Sequence, residues 1–237
     1  IDNYGAHLTS KHFVVFLFFF LSGIFLYLIL KKIIDDKIFC STTAILYLLY
    51  PYLFGQSLFS PKDVPFMSVW ILCTYLSFNI FEKILKKNSI SILNIFVFSL
   101  STAFLLSIRI AGILIFIQYL TTFIIYLNSS NLNIIQFFKK FSKEIIFFII
   151  SLISLTLIFY PPFWLNPLLF FTAISHMANY FNDVCTNTLG SCMHPKNLPP
   201  TYIPIWLSVK LPFFIILGIF LIPFTERKIF INTQKNI

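Results

Sequence analysis

Long apolar runs recur along the whole chain and alternate with short polar segments. A helix needs about 17–25 mainly apolar residues to cross the hydrocarbon core of a bilayer. Seven runs approach or reach that length, and they predict membrane spans at roughly 13–30, 39–54, 65–82, 91–108, 110–127, 145–161 and 205–222. The fourth and fifth runs are nearly continuous, so we predict that the chain turns back at Arg109; one long buried helix is the alternative.

The distribution of basic residues predicts how these spans are oriented. Twelve of the 17 lysines and arginines follow the first, third, fifth and seventh spans. Cytoplasmic loops carry the excess of Lys and Arg, so these segments are predicted to be cytoplasmic. The N-terminus, the loop around Lys62, Arg109 and the segment 162–204 then lie outside. Residues 1–224 are predicted to form one membrane domain, and 225–237 a polar cytoplasmic tail.

Composition agrees with a multi-pass membrane protein and argues against a soluble domain. Of the 237 residues, 58% are hydrophobic and only 11% are charged. The fold class is therefore predicted to be all-α, a polytopic bundle of membrane helices. The net charge of +9 is explained by lysines beside the spans, so a membrane surface is the predicted partner and a nucleic acid is not.

The segment 162–204 is the only long polar stretch. Apolar residues at helical spacing predict a surface helix over about 167–180. Cys185 and Cys192 follow it, and a disulfide between them is predicted because the outer face is the oxidising side. Two free thiols are the alternative. No cysteine or histidine cluster has zinc-binding spacing, so no metal site is predicted from the motifs.

The most unusual polar stretch is 55–66, in which Lys62 and Asp63 stand between Pro61 and Pro65. A lysine ammonium at the membrane interface can hold a phosphate as a point charge. The adjacent carboxylate can act as a base, bind a metal or neutralise the lysine. The alternative is a lysine that reaches toward water beside a helix-capping aspartate.

Four further residues are candidates for a site on the outer face. The Arg109 guanidinium can bind a phosphate with two hydrogen bonds, although contact with lipid phosphate is an alternative. His12 can act as a base or a phosphate partner, or lie at the interface. Tyr202 and Lys210 open the last predicted span and are candidate substrate contacts, with a structural anchor as the alternative.

These motifs together resemble a known family. The segment 50–66 reads YPYLFGQSLFSPKDVPF and resembles a Lys-Asp-x-Pro-Phe block of bacterial membrane glycosyltransferases. Those enzymes are related to protein O-mannosyltransferases and aminoarabinose transferases. Shorter stretches that resemble other motifs of the family follow the same order along the chain, at 11–13, 107–112, 160–167 and 198–206.

The resemblance implies the GT-C fold in the bacterial inner membrane and transfer of a sugar from a polyprenyl-phosphate donor at the outer face. Lys62 would bind the donor phosphate, with Arg109 as a second ligand. The acceptor would be a lipid, a glycan or a protein. No nucleotide is required, and a divalent metal cofactor is left open. Relatives carry their main catalytic acid in a first external loop, so this chain is expected to be a fragment that lacks the first membrane helix and that loop.

The resemblance also implies inversion at the anomeric carbon by an acceptor that a carboxylate activates. Only Asp2, Asp63 and Asp183 fall on the predicted outer side, so acid–base chemistry there must draw on these three or on histidines, and Asp63 is the candidate catalytic residue. Two other functions are weighed against the enzyme. A transporter or flippase for an anionic lipid or solute needs charges along its path, and the predicted spans contain few. A non-catalytic membrane scaffold is the third hypothesis.

Overall fold

The structure is a computed structural model. It describes residues 2–85, 90–129, 134–161, 164, 166, 168–179, 185–188, 190–194, 197–211 and 213–221. The predicted outer acid Asp183 and the predicted tail 225–237 lie outside these residues, and the side chain of Asp2 does as well. The chain forms two compact units, Ile1–Leu169 and Phe170–Ile237.

The described part of the chain is mostly helical, as predicted. The helices of the first unit are α1 (Asp2–Ile33), α2 (Lys37–Leu49), α3 (Pro51–Phe59), α4 (Asp63–Leu85), α5 (Ile92–Ile108), a 3₁₀ helix (Ile110–Leu114), α6 (Ile115–Ser129), α7 (Ile134–Lys140) and α8 (Ser142–Phe159). They are followed by α9 (Leu169–Asn179), strands β1 (Thr186–Thr188) and β2 (Ser191–Met193), α10 (Tyr202–Lys210) and α11 (Phe213–Leu221).

Several described helices are long and apolar enough to cross a membrane. By length and composition these are Thr9–Ile33, Asp63–Ile84, Ile110–Leu127 and Ser142–Phe159. The pair α2 and α3, which is bent by 54°, adds a fifth if it is counted as one span. The α5 helix, with 17 residues, is shorter. The multi-pass architecture is therefore supported, while the number of seven spans stays a prediction.

Two of the predicted spans are not continuous helices. The run 39–54 is interrupted at Tyr50, whose backbone is extended (φ −61°, ψ 116°). The run 205–222 is interrupted after Lys210, where Leu211 is extended (φ −77°, ψ 140°). Each extended residue precedes a proline in the sequence, and the proline ring disfavours the helical conformation of the residue before it. Hydropathy alone misses such breaks.

The helices α1 and α4 lie side by side and run in the same direction. His12, near the start of α1, bonds to the carbonyl of Leu58 just before the Lys62 loop. Lys32, near the end of α1, pairs with Glu82 near the end of α4. The first unit therefore has a Lys62 end and an opposite end, which we call the lysine-rich end. Its basic residues include Lys31, Lys32, Lys83, Lys139, Lys140 and Lys143.

The core of the first unit lies between α4, α5, α6 and α8. Its centre includes Cys73, Leu105 and Ile115, which are fully buried. A second cluster at the lysine-rich end joins the end of α4 to the start of α5, α7 and the start of α8. Its members include Ile84 and Phe137.

A polar bridge joins α4 to α6 within the membrane-spanning part. The Trp70 Nε1–H donates to Gln118 Oε1 at 2.6 Å, and Gln118 Nε2 donates to Thr74 Oγ1 at 2.7 Å. Hydrogen bonds between membrane helices hold them together because neither lipid nor water replaces them in the hydrocarbon core. Gln118 therefore satisfies two side chains of α4 at once.

Replacing Gln118 by Leu is expected to lower the free energy of unfolding by about 0.6–1.7 kcal/mol, because it removes both bonds of the bridge. Thermal unfolding in detergent, followed by circular dichroism, measures the change. Gln56→Leu is the matched control because Gln56 is exposed, and it should alter the unfolding free energy by less than about 0.5 kcal/mol. Equal effects of the two substitutions would contradict the role of the bridge.

The described residues of the second unit form a helix, a small hairpin and two short helices. The helix α9 occupies Leu169–Asn179, within the predicted range 167–180. The antiparallel hairpin pairs Thr186 with Met193 and Asn187 with Cys192. Gly190 has a positive φ of 81°, which the turn requires and which favours glycine. A disulfide joins Cys185 to Cys192 across this hairpin. The hairpin itself was not predicted from the sequence.

Candidate functional site

The loop before α4 places Lys62 and Asp63 at the surface of the first unit. The helix α3 ends at Phe59, and Ser60 is extended (φ −100°, ψ 92°) before Pro61. The next helix begins at Asp63, where a carboxylate interacts favourably with the positive end of the helix dipole. Ser60 Oγ donates to Asp63 Oδ2 at 2.9 Å, which ties the end of α3 to the start of α4.

An ion pair joins Asp63 to Arg109. The distance between Asp63 Oδ1 and Arg109 Nη2 is 2.5 Å, and it links the start of α4 to the end of α5. The side chains of Asp63 and Arg109 remain 60% and 42% exposed, respectively. An ion pair with this exposure contributes little to stability, about 0–1 kcal/mol. A ligand can therefore replace one partner at small cost.

The backbone around Arg109 explains why its side chain lies at this end of the unit. The helix α5 ends at Ile108, Arg109 is extended (φ −149°, ψ 137°), and the 3₁₀ helix follows. This break confirms the predicted turn and excludes a single long helix. Gly112 makes the turn fit, because a Cβ atom there would lie 3.1 Å from the carbonyl oxygen of Leu105. The N–H of Gly112 donates to the carbonyl of Arg109 at 2.9 Å.

Lys62 adjoins the ion pair in the sequence and is exposed. It precedes Asp63 directly, and consecutive Cα atoms are about 3.8 Å apart. Because Asp63 contacts Arg109, Lys62 is next in sequence to one member of this ion pair. Lys62 forms no ion pair with any residue that the structure describes. Its ammonium group is therefore available to a ligand.

His12 lies beside the same loop and fastens α1 to the end of α3. Its Nδ1 bonds to the carbonyl of Leu58, and its ring meets the Phe59 ring edge to face, with centroids 5.7 Å apart. A carbonyl oxygen can only accept a hydrogen bond, so His12 Nδ1 carries a proton and donates it to this bond. The other ring nitrogen, Nε2, is left for further contacts. This arrangement gives His12 a positioning role for the loop. Its predicted contact with substrate is left to Nε2 and stays a prediction.

Tyr202 and Lys210 belong to the second unit. Both lie on α10, where Tyr202 is half-buried and Lys210 is exposed in the last turn. Their predicted contact with substrate therefore concerns residues outside the unit that holds Lys62, Asp63 and Arg109. It stays a prediction.

The charges of the site favour an anion. Lys62 and Arg109 provide two positive charges and Asp63 one negative charge. Charged N–H groups bind phosphate through short, strong hydrogen bonds, and a guanidinium can form two at once. Both carboxylate oxygens of Asp63 have partners, Arg109 and Ser60, and each oxygen keeps a second lone pair that can accept a proton. Among the described residues no group of three or more His, Cys, Asp or Glu side chains could hold a metal.

Two residues of this arrangement escaped sequence reasoning as members of the site. Ser60 holds the second oxygen of Asp63, and Gly112 lets the turn after Arg109 pack. A serine three residues before an aspartate at a helix start is the signal that could have indicated the first contact. A glycine three residues after a charged break in an apolar run could have indicated the second.

No protein-family model, characterised protein or solved structure matches this chain.

Proposed function

We propose that the chain is a membrane glycosyltransferase of the GT-C type, or a part of one, that uses a polyprenyl-phosphate sugar donor. The observation that carries the proposal is the exposed Asp63–Arg109 ion pair next in sequence to Lys62, which is exposed and has no ion pair among the described residues. Lys62 and Arg109 both belong to one end of a bundle in which several described helices are long enough to cross a membrane. That position suits a phosphate whose polyprenyl chain stays in the bilayer.

Donor binding exchanges the partners of Arg109. The guanidinium moves from Asp63 to two oxygens of the donor phosphate, and Lys62 adds a third contact to the same group. The partial exposure of the ion pair keeps the cost of this exchange low. Asp63 is then free to accept a proton beside the bound donor.

The transfer step follows from these positions. Asp63 accepts the proton of an acceptor hydroxyl, and the hydroxyl oxygen forms a bond to the anomeric carbon of the sugar. The bond between that carbon and the phosphate oxygen breaks, and its electron pair leaves with the polyprenyl phosphate. Lys62 and Arg109 stabilise the negative charge that develops on the leaving group. The acceptor is a lipid, a glycan or a protein hydroxyl.

The distribution of charge supports an active site on the outer face of a bacterial inner membrane. Lysines dominate the opposite end of the first unit, which the positive-inside rule assigns to the cytoplasm. The ion pair also joins the start of one helix to the residue that ends another, at the surface of the bundle. A transporter would require charged residues along the middle of its spans, and the predicted spans contain few, so the enzyme is favoured over the transporter.

Replacing Lys62 by Gln is expected to weaken binding of undecaprenyl phosphate by about 10–100-fold, because a charge-assisted hydrogen bond contributes about 1.5–3 kcal/mol. Microscale thermophoresis with the full chain in detergent measures the affinity. Lys37→Gln is the control, since Lys37 is exposed at the other end of the unit. Unchanged binding by the Lys62 variant, or an equal loss in the control, would remove the phosphate-binding role.

Transfer itself is tested with undecaprenyl-phosphate-linked sugars and the full chain in nanodiscs. The proposal expects release of free undecaprenyl phosphate that falls in the Lys62→Gln variant. If the chain binds undecaprenyl phosphate but releases none from any sugar donor, the enzyme hypothesis is rejected and a lipid-binding scaffold is the remaining function. Movement of the lipid across the bilayer without release would favour the flippase.

A further inference from the structure

An apolar cavity of about 240 Å³ lies among α4, α5, α6, α7 and α8. Its wall includes Ile84 and Ile145 near the lysine-rich end and Phe98 and Tyr119 toward the middle of the unit. Glu144 is the only charged side chain among the described residues that line it. Ile84 lies about 30 Å along α4 from Asp63 at 1.5 Å per residue, so this cavity is separate from the proposed donor site.

The chemistry of the wall limits what can fill this space. Water is stable in a cavity only where two to four polar partners hold it, and this wall is almost entirely apolar. A cavity of about 150 Å³ is large enough to bind benzene, so this one can take a segment of a hydrocarbon chain. Beside a membrane-spanning bundle the abundant hydrocarbon is the lipid chain. Filling the space restores the dispersion contacts that an empty cavity lacks.

Three lysines lie on the side of the cavity that α7 and the start of α8 form. The Lys140 Nζ lies 5.2 Å from the centroid of the Phe141 ring, and that ring forms part of the cavity wall. Lys139 and Lys143 are exposed on either side of these two residues. Three lysines against the single carboxylate of Glu144 leave a net positive charge, which complements an anionic headgroup.

We infer that the cavity binds one acyl chain of an anionic phospholipid from the leaflet at the lysine-rich end, with the lipid phosphate held by Lys140 and Lys143. The short helix α7 and the start of α8 then form a lipid site on the membrane surface. The bound lipid fills the gap between the helices and fastens α7 to the bundle. The inference does not depend on the activity of the Lys62 end.

Native mass spectrometry of the full chain tests this site. The chain is reconstituted in nanodiscs that contain equal amounts of dioleoyl phosphatidylglycerol and dioleoyl phosphatidylcholine, and is then released into detergent. One phosphatidylglycerol is expected to stay bound. The double variant Lys140→Gln/Lys143→Gln should retain at least tenfold less, since each lysine near an anionic headgroup contributes about fivefold. The control Lys31→Gln/Lys37→Gln removes two lysines elsewhere at the same end and should retain as much as the wild type.

A second pair of variants tests the chain-binding cavity. Ile145→Trp fills the cavity and should abolish retention, whereas Ile146→Trp changes the neighbouring side chain, which is 56% exposed, and should not. Circular dichroism shows whether each variant is folded, and the exposed lysine variants keep the test valid if Ile145→Trp is not. No retained lipid, equal retention of phosphatidylcholine, or full retention by the lysine double variant would overturn the inference.

Discussion

Replacing Asp63 by Asn is expected to strengthen the binding of undecaprenyl phosphate while it abolishes sugar transfer. In the free protein Asp63 occupies the guanidinium of Arg109, so the carboxylate competes with the incoming phosphate. Asparagine has almost the same shape but carries no charge. Removing an exposed ion pair of about 0.2–1 kcal/mol should tighten binding by about 1.4- to fivefold. Loss of the candidate base should lower the transfer rate by at least about 100-fold.

The opposite directions of these two effects make the experiment decisive. Affinity is measured by thermophoresis, and transfer by the release of undecaprenyl phosphate from the sugar donor. Glu82→Gln is the matched control, because Glu82 also forms an ion pair, with Lys32, at the other end of the unit. It should change neither quantity. Weaker phosphate binding by Asp63→Asn would show that the carboxylate does not compete for Arg109, and unchanged transfer would show that it is not the base.

Hydropathy predicts most of the helical membrane segments. The two breaks that it missed have a common cause. The break at Arg109 was predicted because a charged residue interrupts an apolar run. The breaks at Tyr50 and Leu211 were missed, since each lies inside an apolar run and results from steric exclusion by the next proline. Hydropathy measures transfer into lipid and contains no information about backbone conformation. Reading each proline together with its preceding residue would have located both breaks.

The candidate site was predictable as a set of residues but not as an arrangement. Lys62, Asp63 and Arg109 stand out because charges are rare in this chain. That Asp63 contacts Arg109 depends on how α4 packs against α5, which no local pattern encodes. The contact of His12 was also not predictable from the sequence, because its ring bonds to a backbone carbonyl of α3 and every residue has such a group. The uncharged Ser60 gave no electrostatic signal.

Replacing Gly23 by Leu is expected to lower the free energy of unfolding by about 3 kcal/mol, because α1 and α2 approach closely at this residue. A Cβ atom on Gly23 would lie 2.7 Å from Leu48 Cγ and Cδ2. The same contact is fixed on its other side by Ser22 Oγ and Tyr47 Oη, which are 2.8 Å apart. The larger side chain must therefore displace Leu48 or separate the helices and break this hydrogen bond. Small residues allow membrane helices to pack at such distances.

A compensating substitution distinguishes this clash from a general loss of stability. Leu48→Ala creates space for the new side chain, so the double variant Gly23→Leu/Leu48→Ala should be more stable than the sum of the single effects, by about 2 kcal/mol of coupling. Gly55→Leu is the matched control, since nothing lies within 4 Å of a Cβ atom on Gly55. It should not destabilise the protein, because leucine is a better helix former than glycine. Strictly additive effects at Gly23 and Leu48, measured by thermal unfolding in detergent, would show that the close approach of α1 and α2 is not what glycine provides.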